Sequence, residues 1–123
     1  MSEWELLDVM HGYMNMAVGS FNAYLTIIFG FLAASYLVAH RLKKVEILII
    51  SGLFIFGALV MTYSGIAHLI RHYLFAEMLK PQLPELIWFH SVSVIVITAA
   101  VMISGIIASL YFMYDRTKQS EIP

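Results

Sequence analysis

His68 and His72 stand four residues apart, the spacing that sets two imidazoles on one face of a helix and lets them share a metal ion. Leu69 follows His68, at the place where a His-Glu-x-x-His zinc hydrolase carries its glutamate, so hydrolysis is not what this pair suggests. The segment Met10-His11-Gly12-Tyr13-Met14-Asn15-Met16 adds softer donors, and His11, Met14 and Met16 make a set suited to Cu(I). His90 could pair with a histidine of another helix as the two axial ligands of a haem. Arg71, next to His72, works against a bound cation. The plainer account is that these imidazoles anchor helices at a membrane surface while the eight methionines fill apolar gaps. On that account the protein carries no cofactor, with copper, zinc or haem as the alternatives.

A second set of residues offers hydrogen bonds in an apolar chain. Asn15, Asn22, Thr26, Thr62, Tyr63 and Thr98 are the candidates for a polar interior or a pore lining. A side-chain amide finds no partner in lipid, so each asparagine calls for protein or water beside it.

The elements that must position these groups follow from the distribution of charge. The chain has 123 residues, 61% hydrophobic and 12% charged, against roughly a quarter charged in a soluble domain. Its mean hydropathy is +0.84. No Asp, Glu, Lys or Arg occurs in the 32 residues between Asp8 and Arg41, the 24 between Glu46 and Arg71, or the 29 between Glu85 and Asp115. Each stretch exceeds the roughly 20 residues that carry a helix across a hydrocarbon core of about 30 Å. Within that core only a helix pairs every backbone group inside its own segment. The expectation is one integral membrane domain over 1–123, all-α, with three transmembrane helices near 15–39, 46–72 and 87–114.

Ser2 and Glu5 fit a capping box, which predicts a short N-terminal interfacial helix ahead of the first span, with Gly12 as its bend. The acidic start, Ser2-Glu3-Trp4-Glu5, lacks the basic region of a secretory signal. Helix material continues past Arg71 to Leu79, so the second helix is expected to extend beyond the outer membrane surface before Pro81 and Pro84 break it.

Five basic residues, Arg41, Lys43, Lys44, Arg116 and Lys118, fall on one side of this topology, and two, Arg71 and Lys80, on the other. The positive-inside rule then places the N-terminus outside and the C-terminus in the cytoplasm, in a cell membrane such as a bacterial inner membrane. Trp4, Tyr13, Tyr73 and Trp88 mark the outer boundary; Tyr36, Tyr111 and Tyr114 mark the inner one.

Small and polar residues recur on one side of each span. They are Asn15, Gly19, Asn22, Thr26, Gly30 and Ala33 in the first, and Ser51, Ala58, Gly65 and His72 with Thr62 and His68 in the second. The third has two such ridges, Ser91–Thr98–Gly105 and Ala100–Ser104–Ala108, whereas Ile28 of the first reads as lipid-facing. Small residues at this spacing let helices approach closely in lipid, and the surplus ridge calls for a neighbouring chain. Asn22, Tyr24, Tyr63 and Thr98 come out level in the outer half of the membrane when depth is counted at about 1.5 Å per residue. A level polar layer is an interhelical hydrogen-bond cluster or the lining of an outward-facing cavity.

Several activities lack their residues. No ionisable carboxylate or basic amine lies in the core to couple a pump. There is no phosphate-binding glycine loop or nucleophile elbow. The absence of cysteine removes thiolate chemistry, and a net charge of −1 gives no footprint for nucleic acid. The expectation is a non-enzymatic homo-oligomeric assembly in the lipid bilayer, with a channel or outward-facing vestibule for ions or small solutes as its further form. The alternatives are a metal- or haem-binding redox subunit and an accessory subunit of a larger membrane complex.

Overall fold

The computed structural model describes residues 2–79 and 92–120, and all of its regular structure is helical. α1 spans Glu3–Val38, α2 Lys44–Leu79 and α3 Val92–Ser120. All three are long and apolar enough to cross a membrane, and the chain is an all-α membrane protein.

Local chemistry explains the helix ends. At the start of α1 the Glu5 N–H donates to the Ser2 hydroxyl and the Ser2 N–H to the Glu5 carboxylate, both at 3.2 Å. Two otherwise orphaned donors are satisfied reciprocally. The helix then runs 36 residues without a break, so the short separate helix expected ahead of the first span is instead the first turns of α1. Gly12 does not interrupt it; a glycine inside a helix lowers propensity by about 1 kcal/mol without ending it. A single 3-10 turn, Ala39–Arg41, and extended backbone at Leu42 reverse the chain into α2. Glu46 in the first turn of α2 and Lys118 in the last turn of α3 each meet the helix dipole end of opposite sign.

α1 and α2 each hold 36 residues, about 54 Å at 1.5 Å per residue. They form an antiparallel hairpin. Leu6 packs with Ala76 near one end, Tyr13 stacks on His68, the Ser20 and Ser64 hydroxyls meet at 2.9 Å, and Phe31 stacks on Phe54 with ring centroids 3.9 Å apart. The seam is heptad-like: Met10, Ala17 and Tyr24, with Phe31 next, are buried at seven-residue steps along α1, and Thr62, Leu69 and Ala76 along α2. A seven-residue repeat keeps one face turned to a neighbour as two helices coil left-handedly.

α3 runs parallel to α1, since Tyr24 bonds Met102 and Tyr36 meets Arg116. Its docking is confined to the half nearer the basic end. Met102, Ile106, Ser109 and Met113 are buried, whereas Val92, Val94, Val96, Ile97 and Val101 are exposed. Tyr24, Ile28, Phe31, Phe54 and Ala58 complete that core, which also corrects the reading of Ile28 as lipid-facing. Residue types in the membrane are apolar on every side, so hydropathy alone does not separate Ile28 from an exposed neighbour such as Phe29.

Candidate functional site

The polar and small stripe of α1 faces outward. Asn15, Gly19, Asn22, Thr26, Gly30 and Ala33 are all exposed, and a Cβ built at Gly19 or Gly30 meets nothing within 4 Å. The Thr26 hydroxyl turns back to the Asn22 carbonyl at 2.9 Å and so satisfies itself within the helix. The side-chain amides of Asn15 and Asn22 have no hydrogen-bond partner among the described residues. The heptad seam of α1 has claimed the opposite face, leaving this one uncovered by α2 or α3.

The stripes of α2 and α3 divide differently. Ala58, Thr62, Gly65 and His72 are buried within the protomer, with Ser51 and His68 half-buried. At Gly65 the approach is close, because an added Cβ would lie 2.6 Å from the Phe21 ring. Gly105 likewise faces inward, where a Cβ would collide with the Tyr24 hydroxyl. The other ridge of α3, Ala100–Ser104–Ala108, is exposed throughout. Of the two ridges in the third helix, the one containing Gly105 serves the protomer. Ser91 of that ridge lies outside the described residues.

The level polar groups are not gathered into one cluster. Thr62 donates to the Ala58 carbonyl at 2.8 Å and Thr98 to the Val94 carbonyl at 2.7 Å, each within its own helix. Tyr63 is 78% exposed. Tyr24 alone of the set reaches another helix, donating to the Met102 carbonyl. One contact that joins two polar side chains across helices, Ser20 with Ser64, has no sequence signal beyond a serine on each helix.

At the end of the hairpin away from the basic residues Tyr13 is the hub. Its ring stacks on His68 at 6.3 Å, tilts against Phe75 at 5.5 Å, and lies under the Arg71 guanidinium at 5.9 Å. His72 is buried, and the buried Nδ1 of His68 has no hydrogen-bond partner. His11 and Met16 are exposed and Met14 is half-buried, and His90 lies outside the described residues. No group of three or more His, Cys, Asp or Glu stands together among the described residues. Against His68 lies the Tyr13 ring, which holds the imidazole by stacking.

No known protein family, curated protein or solved structure matches this chain. What the site does must therefore be argued from its own residues. Its distinctive property is an uncovered polar face on a helix built to lie in lipid.

Proposed function

We propose that this chain is the subunit of a homo-oligomeric membrane assembly, with the Asn15–Ala33 face of α1 packed against a neighbouring copy. The observation that carries the reading is the outward stripe itself: six small or polar residues in register, two of them amides with no hydrogen-bond partner among the described residues, of which Asn22 lies about 28 Å from Arg41 and so within a core of about 30 Å. An amide left in hydrocarbon costs several kcal/mol on transfer scales, in the range of about 2–7. Pairing it across an interface recovers on the order of 0.6–2 kcal/mol, and Gly19 and Gly30 let backbones approach. The exposed Ala100–Ser104–Ala108 ridge offers the complementary smooth surface.

In this reading the basic end, with Arg41, Lys43, Lys44, Arg116 and Lys118, faces the cytoplasm of a cell membrane, and the N-terminus lies outside. α1 and α2 exceed a core of about 30 Å by more than 20 Å, so the outer end of the hairpin, from Leu6 and Met10 to Ala76, stands beyond the bilayer. A channel or outward-facing vestibule requires in addition that the level of Asn22 be wet in the assembly. Molecular mass in mild detergent and in nanodiscs tests association. Solute flux through reconstituted vesicles tests the pore. A monomer in both media overturns the assembly and the pore together, whereas a larger, unlike protein that copurifies makes the chain an accessory subunit.

A second reading is favoured by one observation, the orphaned buried Nδ1 of His68 one turn from buried His72. It makes the outer end a metal- or haem-binding redox site. Metal analysis and the absorption spectrum of the purified protein decide it, and a stoichiometric signal removed by His72→Ala puts it ahead.

A further inference from the structure

A groove of about 680 Å³ runs between α1 and α3, where Ile28, Leu32 and Tyr36 face Gly105, Ala108 and Phe112. Its wall is apolar in effect. Ser109, which also borders it, spends its hydroxyl on the Gly105 carbonyl at 2.7 Å. Counted at about 1.5 Å per residue from Arg41 and Asp115, the groove lies from roughly 5 to 20 Å below the basic end. That depth is the acyl region of a single leaflet, given a core of about 30 Å.

The mouth of the groove is charged. Arg116 lies over the Tyr36 ring, 4.9 Å from its centroid, and donates to the Tyr36 carbonyl at 3.1 Å. That bond uses one of five guanidinium N–H donors. Around it, among the described residues, this end carries Arg41, Lys43, Lys44 and Lys118 against Glu46 and Asp115, an excess of positive charge. An open apolar groove with a guanidinium fixed on the Tyr36 of its wall matches one kind of occupant, a molecule with a hydrocarbon tail and an anionic head.

We infer that the α1–α3 groove is a binding site for one anionic phospholipid of the leaflet at the basic end, its acyl chain along Ile28 and Ala108 and its phosphate on Arg116. The placement of Arg116 by Tyr36 is what separates this from general lipid contact, because it holds the charge at the groove's mouth. Self-association is not required for it. A second copy of the chain is the competing occupant, since the exposed Ala108 would also admit a helix.

Native mass spectrometry of the full chain in mild detergent, titrated with phosphatidylglycerol and phosphatidylcholine of the same acyl chains, tests the site. The expected result is one tightly retained lipid per chain with phosphatidylglycerol preferred by about fivefold, the effect of one basic residue near a lipid surface. Arg116→Gln should remove most of that preference, and Arg116→Lys should keep it. Ala108→Phe should fill the groove and abolish retention of both lipids at unchanged helicity, which reads the site even if Arg116→Gln folds poorly. Equal binding of the two lipids, or retention unaffected by Ala108→Phe, overturns the proposal. So does cross-linking of Ala108→Cys between chains with no lipid retained, which gives the groove to a second copy. A monomer that retains the lipid sinks the assembly reading and leaves this one standing.

Discussion

The Tyr24 hydroxyl donates to the Met102 carbonyl, and in doing so it fills the space above Gly105. One tyrosine thereby fixes both the height of α3 against α1 and the residue that α3 must present there. Interhelical hydrogen bonds in membranes average about 0.6 kcal/mol and reach about 1.7. Tyr24→Phe should therefore lower stability by about 1 kcal/mol without changing the fold, measured by reversible unfolding in mixed micelles. Gly105→Leu should cost more, because it displaces the hydroxyl and drives the backbones apart. Ala108→Leu, on the exposed side of the same helix, should cost less than Gly105→Leu. Equal losses for the two α3 substitutions would contradict the packing.

The end of the hairpin away from the basic residues is held by stacking around Tyr13. Its small core, Leu6, Met10 and Ala76, has little apolar area to spare, and each aromatic contact of Tyr13 is worth about 1 kcal/mol. Tyr13→Ala should speed hydrogen exchange in residues 3–12 and in the last two turns of α2. The basic end, where Phe31 stacks on Phe54 and α3 docks, should be unaffected. Faster exchange throughout would mean that the Tyr13 end is not an independent unit.

Much of this architecture was legible because charge is scarce. The gaps after Asp8, Glu46 and Glu85 mark three helices, and Ser2 with Glu5 marks the first turn of α1. The faces were harder to read. In water the buried side of a helix is its apolar side, but here Leu25 and Phe29 are as apolar as Ile28 and Phe31, and only the latter two are buried. What selects the seam is fit: Phe21 over Gly65, Tyr24 over Gly105 and Phe31 on Phe54. Such pairs join residues distant in sequence and leave no periodic trace in polarity. The Asn15–Ala33 stripe was visible as a stripe, but its direction depended on the heptad of Met10, Ala17, Tyr24 and Phe31 opposite.

Orientation is checked by accessibility. With five basic residues at one end and two at the other, single cysteines at Ser2 and Gln82 should react with an impermeant thiol reagent in intact cells. Cysteines at Lys43 and Ser120 should react only after the membrane is opened. The absence of native cysteine makes the reading clean. Labelling at Lys43 in intact cells would invert the topology.

Self-association is best tested by a substitution whose sign differs between the two environments. If the α1 stripe faces lipid, Asn22→Leu removes an unpaired amide from hydrocarbon and should stabilise the protein, by an amount drawn from the desolvation cost of about 2–7 kcal/mol. If the stripe packs on a neighbouring copy, the same change removes an interface hydrogen bond and adds bulk. The oligomer should then weaken by about 1 kcal/mol, near fivefold in dissociation constant. Gly19→Leu should weaken it further, since a Cβ at Gly19 meets nothing within 4 Å among the described residues and the added bulk projects from the face that the neighbour covers. Leu53→Ala, at a position 67% exposed on α2 and away from the stripe, serves as the control and should leave association unchanged. Energy transfer between labelled chains in nanodiscs, followed as protein is diluted into lipid, reads all three. The expected order of dissociation is Gly19→Leu above Asn22→Leu, with Leu53→Ala equal to the native chain. An Asn22→Leu protein that is more stable and no less associated would place that face in lipid and remove the basis for the assembly.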